Sequence, residues 1–106
     1  MGVKEVREYK RQNGKNPFGE WFDALKDVKG KAIIRTRLRK LSLGLFGDYG
    51  SVGGGVYELR IFFGPGYRIY FGMDGKDVIL LLLGGDKGTQ QRDIKMAREY
   101  WLDYLA

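Results

Sequence analysis

With 106 residues, 43% of them hydrophobic and 14% aromatic, the chain reads as a single domain spanning 1–106, of a size that buries about two-thirds of its unfolded surface. Cysteine and histidine are both absent, which excludes thiolate nucleophiles, imidazole acid/base chemistry and zinc sites of the Cys/His kind, so no metal or cofactor is expected. The net charge of +6 resides in residues 1–50, with 12 Lys/Arg against 6 Asp/Glu, while residues 51–106 are neutral; an acidic partner such as nucleic acid is the first expectation.

Residues Val3 to Lys10 are dense in Val and Tyr and predict a short edge strand. The opening segment MGVKEVREYK lacks the apolar core of a signal peptide, and no apolar run reaches bilayer length, so a cytoplasmic protein with no membrane partner is expected. Asn16-Pro17 is a helix opening, with Asn16 as cap and Pro17 in the first turn. Phe18, Trp21, Phe22 and Leu25 then fall at i, i+3, i+4 and i+7 on one apolar face, and Gly30 predicts a break. A second helix is predicted from about Lys31 to Ser42, with Ile34, Leu38 and Leu41 on its apolar face. Lys29, Lys31, Arg35, Arg37, Arg39 and Lys40 fall in or beside it with no acidic residue among them. Such a run is a solvated face or a surface that follows a phosphate backbone.

Leu43 to Gly55, with six glycines, reads as a flexible loop. It lacks the G-x-x-x-x-G-K-[ST] pattern of a phosphate loop and precedes a strand instead of a helix. The next stretch, VYELRIFFGPGYRIYF at 56–71, is a β-hairpin hinged at Gly64, Pro65 and Gly66. Alternation sends Tyr57, Leu59, Ile61, Phe63, Tyr67, Ile69 and Phe71 to one face, and Glu58, Arg60, Arg68 and Tyr70 to the other. Asp74-Gly75 marks a tight turn, and VILLLL at 78–83 predicts a central strand buried on both faces. Thr89 is placed to cap a last helix whose Ile94, Ala97, Trp101, Tyr104 and Leu105 form one stripe. The order β-α-α-β-β-β-α predicts an α+β fold: a small antiparallel sheet, an N-terminal helical hairpin and a C-terminal helix, the helices on one side.

Glu58, Arg60 and Arg68 are either a cross-strand surface pairing or a site. Asp86 and Lys87, just past the end of the buried strand, complete a group of five that suits cleavage of RNA by its own 2'-hydroxyl, a reaction with no requirement for metal. Arg60 and Arg68 would stabilise the phosphorane, a contribution of roughly 3 kcal/mol per well-placed donor. Glu58 is the candidate base and Lys87 the donor to the leaving oxygen. Lys31, Arg35, Arg39, Tyr70 and Gln90 are the candidate RNA contacts.

Three segments, GVYELRI at 55–61, GPGYRIYF at 64–71 and LLLGGDKGTQQRDIKMAREYW at 81–101, resemble the RelE/ParE superfamily of toxins from type II toxin-antitoxin modules, specifically the HigB-like addiction-module killer proteins. The resemblance spans nearly the whole chain. It implies a ribosome-dependent mRNA endonuclease, with mRNA and ribosome as targets and a cognate antitoxin, of helix-turn-helix type, as partner. It carries the functional positions onto Glu58, Arg60, Arg68, Asp86 and Lys87. The same superfamily contains ParE-like gyrase poisons, so a gyrase inhibitor or a non-catalytic binding module is the alternative.

Overall fold

The structure, a computed structural model, describes residues 2–106. The elements are β1 (Glu5–Glu8), α1 (Pro17–Ala24), α2 (Val28–Ser42), β2 (Tyr49–Gly53), β3 (Val56–Ile61), β4 (Tyr67–Asp74), β5 (Val78–Asp86), a 3-10 turn (Lys87–Thr89) and α3 (Gln90–Leu105). This is the expected α+β fold, with a helical hairpin before the main strands and a helix after them. The five strands lie in the order β1-β5-β4-β3-β2. From β2 to β5 the chain is an antiparallel meander, and β1 joins β5 in parallel, with Glu5 opposite Val78 and Glu8 opposite Leu81. The sheet is therefore mixed at one edge. A parallel pair needs a long crossover, and here α1 and α2 carry the chain from β1 to β2 at the opposite edge before the meander returns.

The helices cover both faces, not one. Phe18, Ile34 and Leu41 of α1 and α2 pack with Leu59, Ile61, Tyr67, Ile69, Phe71, Ile79 and Leu81, whereas Ala97 and Trp101 of α3 pack with Val56, Tyr70, Leu80 and Leu82. The period-two alternation read in the hairpin is the alternation between these two cores. Each face also seats a tryptophan on a strand glycine. A Cβ at Gly84 would stand 2.0 Å from the Trp21 ring, and one at Gly72 would stand 2.3 Å from the Trp101 ring. The buried strand β5 loses both faces to packing as predicted, yet it is second from the edge, and β4 occupies the centre. A bulge at Leu82–Leu83 opposite Tyr70 lets Leu82 and Leu83 both join the α3 side.

Local chemistry explains the shifted boundaries. Asn16 caps α1 through the Gly19 N–H, with Pro17 behind it, as the sequence predicts. Gly30 does not break the chain, because Asp27 caps α2 by accepting the Gly30 N–H at 2.9 Å, so the helix begins at Val28. Nor is the whole of 43–55 a loop. Tyr49, Gly50 and Ser51 pair with Leu59, Glu58 and Tyr57 as the edge strand β2. Its glycines make room for neighbours: a Cβ at Gly50 would stand 2.6 Å from Arg60 Nη2, and one at Gly53 2.8 Å from Arg98 Nη2. Thr89 gives α3 no side-chain cap; its Oγ1 accepts the Asp86 N–H and donates to Asp93.

Candidate functional site

The turn over Phe62–Gly66 keeps the parity of the hairpin, so Glu58 pairs with Tyr70 and Arg60 with Arg68 across β3 and β4. All four side chains rise on the face that α3 covers. Glu58 is 4% exposed and sits between the two guanidiniums: its Oε1 is 3.0 Å from Arg60 Nε and 3.7 Å from Arg68 Nε. Gln90, at the start of α3, donates its side-chain amide to Glu58 Oε2 at 3.0 Å. Arg60 also binds Asp48 at 2.8 Å, and that hydrogen bond, with a smaller one from Glu58, raises the guanidinium pKa against the opposing effect of burial. Arg68 is buried, donates from Nη1 to the Tyr67 carbonyl, and stacks its guanidinium 5.9 Å from the exposed Phe62 ring.

Access separates the predicted roles. Arg60, with 30% of its side chain exposed, faces solvent. Glu58 does not: with its oxygens directed at Arg60, Arg68 and Gln90 it is a bridge between cations, and no 2'-hydroxyl reaches it in this arrangement. Tyr70 is corrected as an RNA contact. It is 0% exposed, so no base can stack on it, and its hydroxyl has no hydrogen-bond partner among the described residues. Burial first, then the nearby carboxylates of Glu58 and Asp93, pushes its pKa up. Gln90 is half-buried, with its amide committed to Glu58.

Asp86 ends β5 and accepts the Gly88 N–H at 2.8 Å, in a reciprocal capping arrangement with Thr89 that fixes the Lys87–Thr89 turn. Lys87 is exposed on that turn. A Cβ at Gly66 would be 3.4 Å from Lys87 Cβ and 3.8 Å from Arg68 Nη1, so Gly66 is the common neighbour through which the β5 end meets the hairpin cluster. Lys87, Gly88 and Thr89 through Arg92 line a polar cleft of about 530 Å³ there.

Lys31, Arg35 and Arg39 belong elsewhere. They are on α2, which covers the opposite face of the sheet from the Glu58 cluster. Lys31 and Arg35 sit 5.1 and 5.3 Å from the Phe22 ring, and Arg39 is exposed. The basic helix and the hairpin cations are two surfaces.

Two supporting residues, Asp48 and Asp93, were not singled out in the sequence, and a third, Arg37, was read only as part of the basic run. Asp48 holds Arg60 from the strand edge, and Arg37 of α2 donates to the carbonyls of Arg60, Phe46 and Asp48, tying the helix to that edge. Asp93, 4% exposed, occupies the space a side chain at Gly85 would need, with its Oδ2 2.0 Å from where that Cβ would lie. The only sequence signal for these contacts is the glycine opposite each bulky partner.

No family model matches the chain. A protein of Haemophilus influenzae described as "Uncharacterized protein" is 46% identical over 81 residues, which cover 76% of this chain and 82% of that one.

Proposed function

The chain belongs to the same family as that Haemophilus influenzae protein, and for this member we propose the activity of a type II toxin: ribosome-dependent cleavage of mRNA, neutralised by a cognate antitoxin. The observation that carries this reading is the opposition of Arg60 and Arg68 over a shared buried carboxylate, next to the exposed Lys87. Two like charges set face to face on a rigid strand pair are costly unless an anion is held between or beside them. Glu58 holds them from below, and the solvent side of Arg60 is open to a phosphate.

In this reading the 2'-hydroxyl of the RNA gives up its proton to solvent water and attacks the adjacent phosphorus, the 5'-oxygen leaves, and a 2',3'-cyclic phosphate forms. Arg60 meets the non-bridging oxygens as charge builds on them, and Arg68 adds to the same positive field from its buried seat. Each well-placed cation lowers the barrier by roughly 3 kcal/mol. Lys87 protonates the leaving 5'-oxygen. Glu58 and Gln90 are positioning residues that hold Arg60 and Arg68, and Asp86 shapes the turn that presents Lys87. The net charge of +6 favours approach to ribosomal RNA and message.

A second reading has its own support. Because Glu58 is fully engaged by its neighbours, the cluster also suits a non-catalytic binding module, including a gyrase inhibitor. Expression of wild type beside Arg60→Ala and Lys87→Ala separates the two. The nuclease reading expects growth arrest with cut transcripts in wild type and loss of both in the variants. Unchanged arrest and cleavage in both variants refute the assignment, and lost DNA supercoiling with intact transcripts supports the second reading.

A further inference from the structure

Of the six phenylalanines in the chain, five are buried or half-buried and one, Phe62, is 77% exposed. Parity explains its position. Ile61 and Phe63 turn into the core beneath α1 and α2, so Phe62 between them falls on the opposite face, in line with Glu58 and Arg60. Cations surround it there. The Arg68 guanidinium lies 5.9 Å from the ring centroid, Arg60 is two positions back, about 7 Å along the chain, and the exposed Lys87 meets Gly66 across the turn. Gly64, Pro65 and Gly66 carry no side chain long enough to cover the ring. Tyr49, the other exposed aromatic among the described residues, is packed against Phe46 and Tyr57 instead.

We propose that Phe62 is a stacking platform for one nucleobase of a bound single strand, the base of the nucleotide whose phosphate Arg60 holds. That the strand is RNA rests on the nuclease reading above; the stacking itself does not. Arg68 restrains the ring from one side, and the exposed side is left for a base. Cations for the phosphates beside an aromatic surface for a base are the two elements that single-strand binding requires. Because every base has a π-face, the platform contributes affinity and placement without reading sequence. The stacking role that burial denies to Tyr70 is open to Phe62, on the same face of the hairpin. An apolar contact with a protein partner fits less well, since seating one there would desolvate Arg60 and Lys87 around a single ring.

The test is NMR titration of the full chain with two probes of equal charge: a single-stranded 2'-O-methyl oligoribonucleotide of about six nucleotides, which cannot be cut through its 2'-oxygens, and its abasic counterpart. The base-bearing strand is expected to move the Phe62 ring resonances upfield and to bind about tenfold more tightly than the abasic one, a difference that shrinks or vanishes in Phe62→Ala. Phe62→Trp should keep the difference and Phe62→Leu lose it, and the high exposure of the position lets all three variants fold. The proposal is overturned by ring resonances that stay still at millimolar oligonucleotide, by the same base dependence in Phe62→Ala as in wild type, or by wild-type binding in Phe62→Leu, which would make the ring a generic apolar contact. No cleavage enters the measurement. A strand that stacks on Phe62 and yet survives intact on ribosomes therefore sinks the nuclease reading and supports the platform.

Discussion

Arg60 and Arg68 are register partners across β3 and β4, and the single carboxylate of Glu58 separates their charges at 3.0 and 3.7 Å. Removing that carboxylate leaves two guanidiniums facing each other, one of them buried. Glu58→Gln is therefore expected to cost about 3 kcal/mol in urea unfolding, the penalty of breaking a buried ion pair. Asp48→Ala, which removes the pair at the solvent-exposed end of Arg60, should cost less than about 1 kcal/mol. Equal costs for the two would contradict the bridging role of Glu58.

Tyr70 gives the opposite expectation. Its hydroxyl is buried without a partner among the described residues, and an unsatisfied buried polar group is a standing penalty. Tyr70→Phe should raise stability by about 1 kcal/mol and leave RNA cleavage unchanged. A variant that folds normally but loses cleavage would return Tyr70 to the site.

The two tryptophan–glycine contacts define how α1 and α3 seat on the sheet. Gly84→Ala and Gly72→Ala each drive a methyl group into an indole ring. Both should destabilise by about 2 kcal/mol or more, and fluorescence should report ring displacement. A native emission spectrum and native unfolding midpoint in either variant would contradict this packing.

Stability should fall at both ends of the pH scale, for reasons that meet in the Tyr67–Asp27 hydrogen bond. The Tyr67 hydroxyl first, then the Gly30 N–H, holds Asp27 below its ordinary carboxyl value of 3.8. Its contribution is present above that value and is lost as pH falls through the lower folded value. Burial, then Asp27, pushes Tyr67 up to about 12 from 10.0, and burial, then Asp103, does the same to Tyr9. Their contribution is full below pH 10 and disappears toward pH 12. Melting temperatures recorded across pH should show Asp27→Asn flattening the acid limb, and Tyr67→Phe flattening the alkaline limb and, by removing the largest support of the Asp27 carboxylate, part of the acid limb as well. Variants that parallel wild type at both limbs would refute these linkages.

Much of this arrangement was readable from residues whose signals are local. Alternation in 56–71 separated the two faces of the hairpin, though the second face was read as charged and not as a second core, and Asn16-Pro17 set the first helix. Gly30 and the 43–55 segment misled because their glycines answer to distant atoms: Gly30 lies under Asp27 and Tyr67, and Gly50 under Arg60. The same holds for the site. Glu58, Arg60 and Arg68 share a face by parity alone, but Asp48 and Gln90 join them only through tertiary packing. The parallel seating of β1 and the transfer of α3 to the second face likewise depend on chain crossover, which no periodicity encodes.

The most direct test of RNA cleavage is reconstitution with purified protein, ribosomes and a defined message, alongside the same message carrying a 2'-deoxy nucleotide at the cut position. The account predicts fragments ending in a 2',3'-cyclic phosphate and a 5'-hydroxyl, abolished by the 2'-deoxy substitution and reduced at least about a hundredfold in Arg60→Ala. An intact message in the presence of active ribosomes, or cleavage indifferent to the 2'-deoxy substitution and to Arg60→Ala, would contradict it.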